Sequence, residues 1–329
     1  MATLRDVQSA LGVLRRGLFS KNSPLLGQLV VTRFCNLDCS YCNEFDKVSK
    51  PVPLDDLLAR VDDLARLDTA IVTCTGGEPL TNPHLPAVIR RIRSHGMTAT
   101  MNTNGFLLTR EHIEALNNAG LEAMQISIDG TEPTANSLKS LKSLRGKLDL
   151  LRQFARFKIN INSVLGIEDS QPEDAIEVAM VARDLGFSHS MSLVHDSHGQ
   201  LKPFTPRQQA VYDKIMTMAN SFQHRLNHHL FQRRLIAGET NDWQCRAGAR
   251  YLYICEFGMV HWCSQNRGYP GIPLSRYTVA DIAREFGARK PCAPTCSLNC
   301  VHQVSAFDEW RPKQDQDEGP ATNAGVAVS

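Results

Sequence analysis

The chain has 329 residues, 42 % of them hydrophobic, with 36 Lys and Arg against 34 Asp and Glu for a formal net charge of +2. That balance describes an ordinary soluble globular chain, large enough for one big domain or a big one with a smaller companion, and it excludes nucleic acid held mainly by a basic field. No apolar run reaches the roughly 18–20 residues that a bilayer span needs, and no signal-peptide stretch opens the chain, so the expected compartment is cytoplasmic.

In chain order, Leu4, Val7, Leu11, Leu14 and Leu18 recur at helical spacing with Arg5, Arg15, Arg16 and Lys21 nearby. They predict an amphipathic helix within 1–28, which either caps the floor of a barrel or makes peripheral contact with a membrane. From 29 to 204, short β-branched runs alternate with amphipathic stretches, the pattern of repeated βα units closing a parallel sheet. Six strands are predicted: Leu29 to Phe34, Ala70 to Thr75, Thr98 to Asn102, Ala123 to Ile128, Ile159 to Leu165 and Ser188 to Val194. Helices are predicted at Leu54 to Leu67, His84 to Ser94, Arg110 to Asn118, Lys147 to Ala155 and Glu173 to Leu185. The fold class is therefore α/β. Six units are too few for a full eight-stranded barrel and imply an open, partial (β/α)6 barrel of the TIM type, with chemistry in the loops after the strands. A helical linker over 205–240 leads to a smaller region, 241–311, in which Tyr251 to Trp262 reads as a β-hairpin turning at Glu256-Phe257-Gly258. The polar tail, 312–329, reads as disordered.

Ten cysteines are too few for a disulfide scaffold, but they cluster. Cys35, Cys39 and Cys42 fall within eight residues directly after the first strand. Three thiolates there hold three irons of a four-iron cube and leave the fourth open; a zinc site would want a fourth ligand, and neither His84 nor His95 is spaced to supply it. Cys74, inside the second strand, and Cys255, inside the hairpin, read as core residues.

The run Cys35-x3-Cys39-x2-Cys42, with Tyr41 just before the last cysteine, resembles the hallmark of the radical S-adenosylmethionine (SAM) superfamily. Other segments agree in order from Leu29 to Val194. Gly76-Gly77-Glu78-Pro79 matches the turn that binds the methionyl amino group in that family, and Asn102-Thr103-Asn104-Gly105 matches its Thr-Asn-Gly segment. Ser127 and Asp129 end strand four, where relatives place polar groups around the ribose and methionine. Arg145 is the candidate partner of the methionyl carboxylate, although Lys139, Lys142 and Lys147 around it equally suit a solvated basic face. Glycine at 76 and 77 suits a backbone that approaches a ligand closely. The resemblance implies a [4Fe-4S] cluster that chelates SAM through its open iron, and a 5′-deoxyadenosyl radical that takes hydrogen from a substrate.

Cys245, Gly258 and Cys263, followed by Cys292, Cys296 and Cys300, resemble the opening of the SPASM or twitch extension of that superfamily, which wraps auxiliary clusters around a hairpin. Five motif cysteines suffice for one second, auxiliary [4Fe-4S] cluster with one to spare. Cys245, Cys263, Cys296 and Cys300 are the first choice, Cys292 the substitute, and zinc remains an alternative occupant. His195, Asp196 and His198, after strand six, are candidates for substrate binding or proton movement, or are simply solvated. Relatives that modify ribosomal peptides carry a longer N-terminal region than the 34 residues before Cys35, which favours a small-molecule, sugar, nucleoside or lipid-like substrate over a peptide delivered by a separate protein. A reductase such as flavodoxin or ferredoxin is the implied electron donor. A non-catalytic iron–sulfur scaffold is the reading from another class.

Overall fold

The computed structural model describes residues 4–196, 200–201, 203–218 and 228–311. Six βα units follow the predicted order. The parallel strands are β1 (Leu26–Thr32), β2 (Ile71–Gly76), β3 (Thr98–Thr103), β4 (Ala123–Ser127), β5 (Lys158–Leu165) and β6 (Ser188–Leu193). Helices α2 (Leu54–Arg66), α3 (Leu85–Ser94), α4 (Arg110–Ala119), α5 (Leu141–Phe154) and α6 (Asp174–Asp184) cover the outer face. They do so through stripes such as Leu85, Val88, Ile89 and Ile92, which recur at helical spacing and are buried. Thr109 caps the N-terminus of α4 and Gly120, in the left-handed region, ends it.

Three differences from the predicted elements matter. β1 runs Leu26–Thr32 rather than Leu29 to Phe34, so Arg33 and Phe34 already belong to the cysteine loop. α5 begins at Leu141, capped by the Ser140 side chain, instead of at Lys147, and buries Leu141, Leu144, Leu148 and Leu151. The hairpin β7 (Tyr251–Ile254) and β8 (Met259–His261) gains a third strand, β9 (Pro270–Pro273), and joins the barrel sheet: β7 lies parallel beside β1. One nine-stranded sheet results, in the order β6-β5-β4-β3-β2-β1-β7-β8-β9. Among the described residues the chain continues with α7 (Pro206–Met218), α8 (Arg233–Ile236), α9 (Val279–Gly287) and α10 (Asn299–Ser305).

The N-terminal helix α1 (Leu4–Phe19) docks by its last turn and not through Leu11, Leu14 or Leu18. Arg16 pairs with Asp68 at 2.7 Å, Gly17 meets the Phe307 ring, and the buried Arg250 donates to the carbonyls of Arg16 and Gly17. Leu11, Leu14 and Leu18 stay exposed. Among the described residues no helix is long and apolar enough to cross a membrane. The predicted tail, 312–329, lies outside the described residues.

Candidate functional site

The loop after β1 is closed on itself: Cys35 N–H donates to the Asp46 carbonyl at 3.1 Å, and the Asp46 carboxylate accepts from the N–H groups of Val48 and Ser49. This brings Cys35, Cys39 and Cys42 to the wall of one cavity of about 150 Å³ at the C-terminal ends of the strands. Facing them are Thr75, Gly76 and Gly77 from β2, Asn102, Thr103 and Asn104 from β3, Ser127 from β4, and Lys139. The Cys35 sulfur accepts from Leu37 N–H at 3.4 Å and from the Asn104 amide at 3.6 Å. Burial pushes the Cys35 and Cys42 thiols up, so cluster loading there must displace protons. Among the described residues no three His, Cys, Asp or Glu side chains close around a single ion. Thiols that ring a cavity, with N–H donors aimed at a sulfur, fit a polynuclear cluster.

The Gly-Gly turn has a reason the sequence did not supply. A Cβ on Gly76 would sit 2.0 Å from the Thr32 carbonyl oxygen, at φ +125°, and one on Gly77 would sit 2.3 Å from that of Phe34. The glycines let β2 press against the strand that carries the cysteine loop, while also lining the cavity. Pro79 opens the short turn Pro79–Thr81 behind them. Glu78 is fully buried and spends both oxygens inside the protein: Oε1 accepts from Leu80 N–H at 3.0 Å and Thr103 Oγ1 at 2.7 Å, Oε2 from Asn104 N–H at 2.7 Å. Burial raises its pKa against the pull of those donors. It therefore holds the β3 turn in place.

Tyr41 and Asp129 stand together at the side of this cavity. Tyr41 OH donates to Asp129 Oδ2 at 2.5 Å, Ser137 Oγ donates to the same oxygen at 2.6 Å, and Lys139 pairs with it at 3.2 Å while donating to Tyr41 OH. Burial works against the Lys139 charge, but Asp129, Tyr41 and Cys39 together hold its pKa above the ordinary lysine value. Asp129 Oδ1 is buried with no partner, an unspent acceptor that a ligand hydroxyl or ammonium would satisfy. Arg145 is not brought to this site. It lies exposed on α5, 3.9 Å from Asp149, and Lys139, read from the sequence as part of a solvated basic face, is the cation that lines the cavity.

The C-terminal cysteines gather around a second core, with both Cys292 and Cys300 at its edge. Cys245, Cys263 and Cys296 are buried in this apolar core with Trp243 and Trp262, against which half-buried Cys300 packs, and Cys292 is half-buried. The Asn266 amide reaches both Cys263, at 3.8 Å, and Cys292, at 3.5 Å. Cys245 lies in the field of Cys292, Cys263 in those of Cys245 and Cys292, and Cys296 in those of all three. Burial pushes Cys245 up to about 11 and raises the other three. Lys290, buried beside Cys245 and Cys292, supplies a compensating cation. Cys300 packs against the same core from the side of Tyr251 and Glu44 and also lines the barrel interior. Cys74 and Cys255 are fully buried core residues.

The barrel interior is a larger cavity of about 510 Å³ that shares Asn102 with the thiol cavity. His195 lines it, with Nδ1 2.8 Å from the Asp196 carbonyl. Asp196 closes a turn instead, accepting from Gln200 N–H at 2.9 Å. His198 lies outside the described residues.

Comparisons with known proteins agree on one family. The profile of the Radical SAM superfamily matches residues 29–196. The chain is similar to the AdoMet-dependent heme synthase of Methanosarcina barkeri, 30 % identical over 174 residues that cover 50 % of this chain and 49 % of the relative. It is also similar to the PqqA peptide cyclase of Rhodopseudomonas palustris, 33 % identical over 34 % of this chain and 30 % of the relative. The GTP 3′,8-cyclase of Xanthomonas campestris pv. campestris is 34 % identical over 40 % and 44 %. The matches span half or less of the length of these curated relatives. Among solved structures, Streptococcus suis SuiB bound to precursor peptide SuiA has a TM-score of 0.61 at 14 % identity, covering 95 % of this chain and 79 % of that one. Native anSMEcpe with bound AdoMet has a TM-score of 0.57 at 14 % identity, covering 86 % and 97 %. At such identity the likeness speaks to the fold, a partial TIM-type barrel.

Proposed function

The chain belongs to the radical SAM superfamily, whose members use a [4Fe-4S] cluster and S-adenosylmethionine, and we propose that it is an enzyme that abstracts hydrogen from a small-molecule substrate. When bound, the cluster supplies the electron that splits the sulfur–C5′ bond of SAM into methionine and a 5′-deoxyadenosyl radical. Cys35, Cys39 and Cys42 hold that cluster in this reading. Lys139 offers the cation for the methionyl carboxylate and Asn104 a polar contact from the cavity wall, with Asp129 behind Lys139 holding its ammonium in place. Glu78 acts by positioning the Thr103-Asn104 turn. The observation that carries the reading is the convergence of the three thiols, the Gly-Gly turn and the β3 turn on one cavity that opens beside the barrel interior through Asn102.

A second [4Fe-4S] cluster, on Cys245, Cys263, Cys292 and Cys296, serves electron transfer in this proposal, because four thiol ligands leave it no position for substrate. A reductase of the flavodoxin or ferredoxin type feeds the first cluster. The similarity to PqqA peptide cyclase supports a second reading, a maturase acting on a peptide. The test is anaerobic reconstitution followed by dithionite and SAM. Formation of 5′-deoxyadenosine, raised by a small molecule and not by a peptide, supports the first reading; none at all, even of the slow uncoupled kind, leaves an iron–sulfur scaffold.

A further inference from the structure

Inward positions of a closed eight-stranded barrel are filled by branched apolar side chains. Here β1 to β5 instead turn Gln28, Thr73, Asn102, Gln125, Asn160 and Asn162 into a cavity of about 510 Å³, well within the range of small-molecule sites. Among the described residues no Asp, Glu, Lys or Arg lines it.

Cross-strand hydrogen bonds fix these groups and leave a particular chemistry unspent. Thr73 and Thr100 hydroxyls meet at 2.7 Å. Asn160 donates to Ser190 Oγ at 2.7 Å and to Gln125 Oε1 at 3.3 Å. Asn162 Oδ1 accepts from Ser190 and Ser192 at 3.0 and 3.1 Å, and Gln28 Oε1 accepts from Tyr251 OH at 2.6 Å. The amide oxygens of Gln28, Gln125 and Asn162 are thus taken. Among the described residues their NH2 groups have no acceptor, and the Asn102 side chain has no partner at all. Amide donors held in place without acceptors call for a ligand rich in oxygen.

We propose that this cavity takes a neutral, polyhydroxylated substrate of the sugar or cyclitol type, its oxygens accepting from Gln28, Asn102, Gln125 and Asn162. The assignment rests on the radical-enzyme reading and names its substrate class. A phosphate or carboxylate would enter a cavity whose described wall holds no Lys or Arg and offers only the imidazoles of His189 and His195. An acyl chain would leave the same amide donors unmet. Asn102, shared with the thiol cavity, places the ring next to the radical source.

Saturation-transfer NMR on the reconstituted protein tests this, with methyl β-D-glucopyranoside and scyllo-inositol as neutral probes, and glucose 6-phosphate, octanoate and a capped dipeptide as competitors. The expected result is saturable transfer to a neutral probe that falls at least about five-fold in Gln125→Leu and Asn162→Leu, with iron content kept. Ser190→Ala, which deletes only a hydroxyl on the same wall, gives the same direction should either leucine variant fail to fold. Stronger binding of the phosphate, the fatty acid or the dipeptide, no transfer to either neutral probe, or transfer unchanged in the variants overturns the proposal. Uncoupled 5′-deoxyadenosine formation in the same sample reports on the radical reading separately: its absence beside intact polyol binding sinks that reading and leaves the cavity a polyol-binding site without a radical reaction.

Discussion

A buried lysine is costly unless its charge is used, and Lys139 is buried beside Asp129 at the thiol cavity. Replacing it with methionine keeps much of the packing and removes the charge. Hydrogen bonds to charged groups are worth about 1.5–3 kcal/mol, so Lys139→Met should weaken SAM binding by on the order of ten-fold or more, measured by equilibrium dialysis, with iron content unchanged. Loss of iron with the lysine would assign it to the cluster instead. The thiol partition is equally direct. Cys292→Ala should reduce the chain from about eight irons to about four, whereas Cys300→Ala should keep about eight. The reverse pattern would restore Cys300 as a ligand. Spacing alone does not decide between these two, because Cys-x3-Cys-x3-Cys leaves open which neighbour turns toward Cys245. The short helix α10 carries Cys300 to the barrel side, and Asn266 ties Cys292 to Cys263.

Elements were legible where a period and a cap agreed. The six strands and five outer helices carry strong alternation or a leucine stripe, and all are present. The helix α5 is predicted only from Lys147, because the basic residues Lys139, Lys142 and Lys147 around Arg145 equally suit a solvated face. The signal was there in Ser140 followed by Leu141, Leu144, Leu148 and Leu151, a cap and a buried face at helical spacing. Missing it also displaced the expected cation from Lys139 to Arg145. The Gly-Gly turn was found for an incomplete reason, since the tightest contacts of its missing side chains are with Thr32 and Phe34, partners that no sequence pattern names. It follows that Gly77→Ala should cost the first cluster although it removes no ligand. A methyl group 2.3 Å from the Phe34 carbonyl oxygen must push the cysteine loop away. Iron should fall by about half, with the auxiliary absorption band retained. A variant that keeps both clusters and loses only SAM affinity would return the glycine to ligand contact alone.

On the scale of the whole molecule, the sequence divides at about residue 241, but the sheet does not. β7 pairs with Leu26–Leu29 of β1, and the second apolar core joins Leu25 and Val30 to Tyr251, Tyr253 and Trp262. Arg250 and Asp308, both with fully buried side chains, pair at 2.8 Å, and Arg250 also reaches the carbonyls of Arg16, Gly17 and Ser23. One guanidinium thus fastens α1 and the entry to β1 to the C-terminal region. Breaking a buried pair of this kind by removing one partner typically costs about 3–5 kcal/mol. Parallel pairing over such distances in sequence is invisible to periodicity, which explains why a separate hairpin region was expected. A chain ended after residue 240 would expose the β1 edge, uncover Leu25 and Val30, and remove the Arg250 and Phe307 contacts of α1, leaving only Arg16–Asp68. Such a chain is expected to aggregate when expressed and to bind a hydrophobic dye when refolded. A monodisperse 1–240 fragment that unfolds cooperatively and loads the first cluster would show that the barrel stands alone and that β7 is merely appended to it.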